Sequence, residues 1–351
     1  MSGLPPPRGE ISELVEAVLA RPPHEFSGPE RIEVPEPLED GDLHLALYLL
    51  YELHYRGLPG VDDAWEWEPS LLALRAALER PFESALRDTV PRAPGEMGPD
   101  EIDVALREIA ELPGPPLSTY VRGQATLGQV REFLIHRSAY QLKEADPHSW
   151  ALPRLYGPVK AALVEIQTDE YGRGRTEWMH AELFARAMAA AGLDANYNAY
   201  LDLIPGITLA TVNLMSLFGL HRRLLGAIVG HLAVFELTSS IPNRRYGDGL
   251  RRLGLTGDAT LFFDEHVEAD AVHENIAATD LAGGLVRQQP ALSPAVLWGA
   301  RALHELDSRW ADYVLGQWRQ GRTSLRRELN AGPRRAEPHQ LVGAVAEGLD
   351  P

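Results

Sequence analysis

The sequence predicts an all-α protein, and three observations support this. Apolar residues recur at helical spacing along most of the 351-residue chain. The alternation of apolar and polar residues that is typical of strands is nearly absent, and no hairpin turn separates β-rich runs. Apolar residues make up 45% of the chain and charged residues 24%, which suits a globular protein with a sizeable core.

The first third of the chain predicts a helical region behind an irregular lead. Residues 1–40 are rich in proline and glutamate, so we expect them to be irregular or partly disordered. Residues 42–57 are apolar on most sides, which predicts a buried helix ended by Gly57. Shorter helical patterns lie at 69–80, 82–89 and 99–111. The breaker LPGPPLS at 112–118 ends this region, residues 41–115, which we expect to cap the main domain or to mediate dimerisation.

Long helices are predicted for the main domain, residues 116–325, and a polar tail follows at 326–351. The boundary signals of these helices are Pro147, Gly172, an N-cap at Thr176, Gly192, Pro242, Gly257 and Pro294. The segment 203–220 is apolar and nearly long enough to span a membrane. Proline, glycine and asparagine interrupt it, so a buried core helix is the favoured interpretation.

Composition narrows the classes of function. The net charge of −17 disfavours a nucleic-acid surface. The chain has no cysteine, which excludes disulfides, thiolate zinc sites, iron–sulfur clusters and thiol nucleophiles. Any metal site must therefore use nitrogen and oxygen ligands. The start MSGLPPPRGE has no signal-peptide pattern, so we expect a cytoplasmic protein.

A histidine–aspartate–histidine set is the strongest motif. His266, Asp270 and His273 are spaced i, i+4 and i+7, which places them near one line on a helix. Two imidazoles and a carboxylate on one line are typical of a metal site. A second pair, Glu177 and His180, lies upstream at i, i+3.

Two further glutamates, Glu144 and Glu236, complete a regular order. Along the chain, a lone carboxylate precedes each carboxylate–histidine pair, and each of the four units lies on its own predicted helix. Helix bundles that bind two irons supply their ligands in this pattern. The number of acidic-x-x-His pairs is no greater than chance. The hypothesis of a two-iron site therefore rests on the order in which the lone carboxylates and the pairs follow one another. Solvated glutamates and hydrogen-bonded core histidines are the alternative interpretation.

With these residues the sequence resembles the haem-oxygenase-like diiron oxidases, often called iron-containing redox enzymes, over roughly residues 125–320. The resemblance implies a seven-helix bundle with two iron ions, activating O₂ through a peroxo-diferric intermediate. It implies that the seven residues named above are iron ligands, and that Glu170 matches an additional carboxylate near the metals in N-oxygenating members. His266 favours this scaffold over ferritin-like proteins. Porphyrin-binding haem oxygenases and the cysteine-dependent thiaminase relatives are both disfavoured.

The first functional hypothesis is a diiron oxygenase that oxidises the nitrogen of a small amine-containing metabolite. The alternatives are oxidative C–C cleavage or desaturation of a fatty or amino acid, and iron binding without turnover. We interpret the segment IPNRRYGDG as a polar turn in which Arg244 and Tyr246 are candidate substrate-binding residues. An external electron donor and a homodimer are expected, and neither nucleic acid nor membrane is expected as a partner.

Overall fold

The computed structural model describes residues 4–29, 32–91 and 95–329, and for 268–272 it describes only the backbone. Most of the expected polar tail therefore lies outside the described residues. Seventy per cent of the chain is helical and the described residues form no strand, so the all-α prediction is confirmed. The α-helices are α1 Glu10–Leu19, α2 Gly41–Glu52, α3 Pro69–Thr89, α4 Pro99–Ala110, α5 Leu117–Gly123, α6 Leu127–Gln141, α7 Asp146–Ser149, α8 Gly157–Glu170, α9 His180–Ala190, α10 Gly206–Leu220, α11 Leu225–Arg252, α12 Asp258–Asn275, α13 Gly284–Gln288 and α14 Ser293–Arg319.

Helix α1 corrects the expectation that residues 1–40 are irregular. Its amino-terminal amides are capped from outside the segment, because Asp42 accepts hydrogen bonds from the backbone N–H groups of Ile11 and Ser12 at 2.8 and 2.7 Å. The apolar face of α1, including Val15 and Leu19, is buried against α2. A cap supplied from thirty residues away is not visible in local sequence.

Helix α2 is the buried helix that the sequence predicts, although it ends at Glu52, before Gly57. Ten of its twelve residues are buried, and it packs against α10, the apolar segment predicted as a core helix. Helix α3 joins the two patterns predicted at 69–80 and 82–89 and continues through Pro81.

Helix α11 forms the centre of the bundle and packs against α5, α12 and α14. It continues through Pro242, so the predicted helix end there is wrong, and so is the predicted polar turn at IPNRRYGDG. Proline removes one helical hydrogen bond. Packing of other helices on both sides of residue 242 outweighs that loss. By length and composition alone, Arg222–Arg252 is the one described helix able to cross a membrane, but 67% of its most apolar window is buried inside the bundle.

The segment after α12 departs from α-helical geometry. Ile276–Gly283 is a π-helix, which continues the ligand-bearing helix without a break and packs against α4 and α8. Such wide turns occur mostly in short stretches and frequently lie next to functional sites.

Candidate metal centre

Six buried side chains from five parts of the chain converge between α8, α9, α11 and α12. Glu144 lies in the turn after α6, Glu170 is the last residue of α8, and His180 is the first residue of α9. Glu236 comes from α11, and two histidines come from α12. Within the described residues they form two groups whose ligand atoms lie within 4.8 Å of one another: Glu144, Glu170, His180 and His266 in the first group, and Glu170, Glu236 and His273 in the second.

Glu170 belongs to both groups because its two oxygen atoms face different histidines. Its Oε2 lies 2.8 Å from His180 Nδ1, and its Oε1 lies 4.0 Å from His273 Nδ1. A carboxylate in this position can bridge two cations. The chain loops back sharply to allow it: Tyr171 and Met179 form a backbone bridge, and Gly172 adopts φ 63° where a Cβ would overlap the backbone of Trp178 and Met179.

The remaining donors complete each group at short range. In the first group, His266 Nε2 lies 3.5 Å from Glu144 Oε1, and the rings of His180 and His266 are 4.3 Å apart. In the second group, His273 Nδ1 lies 3.5 Å from Glu236 Oε2. Each group therefore combines carboxylate oxygen with imidazole nitrogen.

Hydrogen bonds outside the groups fix which nitrogen of each α12 histidine faces inward. His266 Nδ1 donates to the carbonyl oxygen of Phe262, one turn earlier, at 2.8 Å, which leaves the lone pair on Nε2. His273 Nε2 donates to Asp169 Oδ2 at 3.2 Å, which leaves the lone pair on Nδ1. Metal-binding histidines almost always make such an outer hydrogen bond.

The donors fit a cation better than they fit one another. Among the described residues, Glu144 Oε2, His180 Nδ1 and His273 Nδ1 are buried without a hydrogen-bond partner. His180 Nδ1 is close to Glu170, but the angles of that contact are not those of a hydrogen bond. Buried polar atoms rarely remain unsatisfied. A set of nitrogen and oxygen donors without sulfur is compatible with iron.

Electrostatics in the metal-free protein reflect three carboxylates in one small volume. Burial raises the pKa of Glu236. Burial alone would also raise the pKa of Glu170, but the neighbouring histidines, above all His180, lower it to about 2. Burial would lower the pKa of His273, yet its close contact with Glu236 and the charges of Glu236 and Glu170 raise it to about 9. Without a metal, protons on histidine offset the carboxylate charge.

The structure brings together five of the seven ligands named from the sequence: Glu144, His180, Glu236, His266 and His273. Glu177 is the exception, because it is exposed in a short 3₁₀ turn. Helix α9 begins at His180, not after Thr176, so the i, i+3 spacing does not place Glu177 and His180 on one helical face. The side chain of Asp270 lies outside the described residues. Glu170, expected as an additional carboxylate, is shared by both groups.

Asp169 is a site residue that the sequence analysis missed. It precedes Glu170 in the segment TDEYG and accepts hydrogen bonds from His273 and, at 2.6 Å, from Arg173. These two donors lower its pKa, the Arg173 hydrogen bond most of all. The sequence signal that could have identified Asp169 was the pair of adjacent acidic residues at the end of α8. Glu170 faces the donor groups, and Asp169 lies at their edge.

A cavity of about 500 Å³ opens beside the first group, with Glu144 and His266 in its wall. Its wall is of mixed polarity and includes a group of aromatic residues, Phe133, Phe184, Phe262, Phe263 and Trp310. Tyr246 also lines the cavity, packed on Phe133 at a ring distance of 4.4 Å. Arg244 does not line it and is exposed, because α11 continues through this segment and turns Arg244 away.

A helical bundle with a buried carboxylate–imidazole cluster and no cysteine can hold a metal on nitrogen and oxygen donors. The profile of the iron-containing redox enzymes matches residues 131–308, just over half of the chain, and this chain belongs to that haem-oxygenase-like family. The matched range holds every member of both ligand groups. No curated protein matches the chain. The fold expected from the resemblance is thus confirmed, and the protein is an iron-containing oxidoreductase.

Proposed function

We propose that this protein is a non-haem diiron oxygenase that uses O₂ to oxidise the nitrogen of a small amine-containing metabolite. The position of Glu170 carries the proposal of two ions, because one carboxylate reaches into two donor groups. A single ion would leave one of these groups, with its buried unpaired histidine nitrogen, without a partner.

The residues of the site have separable tasks. Glu170 would bridge the two ions, with Glu144, His180 and His266 holding one and Glu236 and His273 holding the other. When bound, an iron pair supplies the activation of O₂. Asp169 and the Phe262 carbonyl orient the histidines, and the cavity beside the first group gives a substrate access to the cluster.

The acidic side chains of the cavity support an amine substrate. Asp307 and Glu274 line it together with Glu144, which favours a cationic or strongly hydrogen-bonding nitrogen compound. The expectation that Glu170 is an additional carboxylate no longer supports N-oxygenation, because Glu170 belongs to both ligand groups. Arg137, also in the wall, favours the second candidate, oxidation of a carboxylic acid with C–C cleavage or desaturation. A cavity at the cluster argues against iron binding without turnover.

Anaerobic titration with Fe(II), followed by mixing with O₂, tests the proposal. We expect two Fe(II) per chain, O₂ consumption that a substrate accelerates, and a product heavier by oxygen on nitrogen, identified by mass spectrometry. One iron per chain would contradict the diiron site. Loss of carbon or of two hydrogens from a carboxylic acid would instead establish the second candidate.

We further propose a cytoplasmic homodimer that receives electrons from an external donor and uses neither nucleic acid nor membrane. The net charge of −17 supports the absence of nucleic acid. Analytical ultracentrifugation of the iron-loaded protein tests the dimer, and a monomer at micromolar concentration would contradict it.

A further inference from the structure

The cavity beside the metal cluster carries two opposite charges on facing helices. Arg137 lies on the face of α6 that also presents Phe133 and Gln141 at four-residue intervals, and Glu144 follows just beyond the helix end. Asp307 lies on α14, one turn before Trp310. Both charged residues line the same cavity wall as His266, so a bound molecule can reach them and the cluster together.

Arg137 has hydrogen-bonding capacity to spare. Its guanidinium lies over the ring of Trp310, 5.1 Å from the centroid, and in the described part of the chain no carboxylate or carbonyl accepts a hydrogen bond from it. The other arginine of the cavity, Arg245, donates to Ser118 Oγ at 3.2 Å. Stacking on an aromatic ring holds the guanidinium plane still and leaves its edge available for two hydrogen bonds to a carboxylate.

Asp307 is likewise without a hydrogen-bond donor among the described residues. Burial raises its pKa, while the charges of Arg137 and His304 act in the opposite direction. Arg137 is thus near enough to act on Asp307, yet no ion pair within 4.0 Å joins them in the described structure. Among the described residues, Trp310 Nε1 beside them is buried without a hydrogen-bond partner, while Arg137 and Asp307 are half-buried in the cavity wall. Polar groups that line a cavity and remain unpaired are typical of a site that a ligand completes.

We infer that the cavity binds an α-amino acid, with the carboxylate on Arg137, the α-ammonium on Asp307 and the side chain directed toward Glu144 and His266. An α-amino acid carries its two charges on neighbouring atoms, which matches a cation and an anion that are close but not bonded to each other. From Arg137 to the end of α6 at Gln141 the helix rises roughly 6 Å, and Glu144 lies in the turn beyond it, so an extended side chain is needed to reach the cluster.

This inference narrows the substrate class of the proposed function. The conclusion about which nitrogen is oxidised rests on that proposed function. Oxidation of nitrogen requires a lone pair, which an ammonium group held by Asp307 does not have. The α-amino group is therefore protected, and the oxidised nitrogen belongs to the side chain. The substrate class becomes amino acids with a second nitrogen, as distinct from simple amines and simple carboxylic acids.

Isothermal titration calorimetry on the anaerobic Fe(II)-loaded protein, and in parallel on the metal-free protein, tests the inference. The probes are the twenty L-amino acids together with L-ornithine. For each one that binds, two analogues are added, one lacking the carboxylate and one lacking the α-amino group; for L-lysine these are cadaverine and 6-aminohexanoate. We expect a basic amino acid to bind at least about tenfold more tightly than either of its analogues, since hydrogen bonds to charged groups are worth that much.

Variants assign the two contacts separately. R137Q should remove the advantage of the amino acid over its decarboxylated analogue, and D307N should remove the advantage over the deaminated analogue. R319Q and D312N are matched controls, because both residues are exposed on α14, and both variants should bind as the unchanged protein does. Thermal melting of each variant shows whether it is folded.

Binding by none of the amino acids, equal or tighter binding by an analogue, or unchanged binding by R137Q would overturn the inference. The analogue series on the unchanged protein decides the matter even if a variant fails to fold. Fe(II) stoichiometry and O₂ consumption are measured on the same samples. Failure of the diiron oxygenase proposal would appear in those readouts, and failure of amino-acid recognition would appear in the calorimetry.

Discussion

At the scale of single residues, the position of Glu170 determines what the cluster can hold. It ends α8 on the same buried face as Leu163 and Ile166, so core packing fixes its side chain. Its two oxygens face different groups of donors, and no other described residue belongs to both groups. Removing this carboxylate should therefore affect both donor groups, whereas removing another member of one group should affect that group first.

Glu170→Ala should lower iron binding to at most one Fe(II) per chain, because the shared ligand is lost and, among the described side chains, Glu236 and His273 alone remain in the second group. Metal analysis after desalting measures the stoichiometry. Glu177→Ala is the matched control, since Glu177 is exposed in the turn next to His180 and should leave iron binding unchanged. Equal iron loss in both variants would contradict the assignment of ligands.

Asp169→Asn should weaken binding of iron to the second group about 10–100-fold, the usual effect of removing an outer partner of a metal-binding histidine. Competition with a chelator measures the affinity. Arg173→Gln is the control, because it removes the other partner of Asp169 and leaves the hydrogen bond to His273 in place. An affinity in Arg173→Gln as low as in Asp169→Asn would show that the surface ion pair, not His273, is responsible.

Much of the site could be predicted from the sequence, because the positions of carboxylates and histidines along a helix determine which of them share a face. Glu144, His180, Glu236 and both histidines of α12 were named correctly as neighbours. The error at Glu177 arose from the loop before α9, where Gly172, Arg173 and Gly174 all adopt positive φ. That turn decides whether Glu170 or Glu177 faces His180, and spacing along the chain does not contain this information.

At the scale of helices, α11 and α14 cross with their backbones in close contact in the bundle core. Gly230 lies against the carbonyl of Val296, and Gly299 lies against the backbone of Ala227, so that the two helices touch at backbone level on both sides. This close approach also sets the position of Glu236, two turns along α11 from Gly230. Prediction of the helices from sequence succeeded, but periodicity does not show such pairwise contacts.

Gly230→Ala should destabilise the protein by more than about 2 kcal/mol, because the added methyl would overlap the Val296 carbonyl and force the helices apart. Chemical denaturation measures the free energy of unfolding. Gly316→Ala in α14 is the control: nothing lies near its Cβ position, and alanine there should stabilise by roughly 0.5–1 kcal/mol. Destabilisation by both substitutions would mean that helix crossing is not the cause.

The ends of helices were less predictable than their existence. The sequence predicts a stop at Pro242, yet α11 runs on to Arg252 because α5, α12 and α14 cover it on both sides of the proline. The π-helix Ile276–Gly283 has no signal in the apolar pattern. In both places tertiary packing outweighs local propensity, which is a weak determinant of helix ends.

At the scale of the whole molecule, the helices before residue 115 are bound to the site by a buried ion pair. Lys143, next to Glu144 in sequence, pairs with Glu52 of α2, and neither side chain is exposed. Tyr197 donates to the same carboxylate at 2.6 Å, and the rings of Tyr48 and Tyr55 lie 4.7 and 4.4 Å from the ammonium. The turn that carries Glu144 is therefore anchored on α2.

Lys143→Met should reduce the free energy of unfolding by about 3–5 kcal/mol, since it leaves Glu52 buried without a counter-charge. The double variant Glu52→Gln with Lys143→Met should recover most of that loss, because no unpaired charge remains. Urea denaturation of the three proteins checks this. A double variant as unstable as Lys143→Met alone would show that packing of the lysine chain, not its charge, matters.

Buried histidines should lower the stability of the fold as the pH falls below 6.5. Burial lowers the pKa of five described histidines below 6.5, to about 3 for two of them and about 4 for a third: His44, His54, His136, His148 and His231. Below pH 6.5 the unfolded chain binds these protons and the folded chain does not, which costs roughly 1.4 kcal/mol per histidine and pH unit.

The raised pKa of His273 acts in the other pH range. In the metal-free protein, protonated His273 stabilises the folded state. This contribution to the free energy of unfolding is complete below pH 6.5 and is lost as the pH rises through about 9. The combined contribution of these histidines to stability is thus largest near pH 6.5. Unfolding curves of the metal-free protein between pH 4.5 and 9.5 should show that His136→Gln reduces the slope of stability against pH below 6.5 by up to about 1.4 kcal/mol per pH unit. A slope unchanged by this substitution would contradict the assignment.

The packing of α4 has a consequence for how this chain can be divided. Although α4 lies before the proline-rich breaker, it packs against α11, α14 and the π-helix that extends from His273. A version starting at residue 116 would uncover those surfaces, including the helices that carry Glu236 and His273. Helices α1–α4 and the domain that carries the donor groups should consequently be expressed and purified as a single chain.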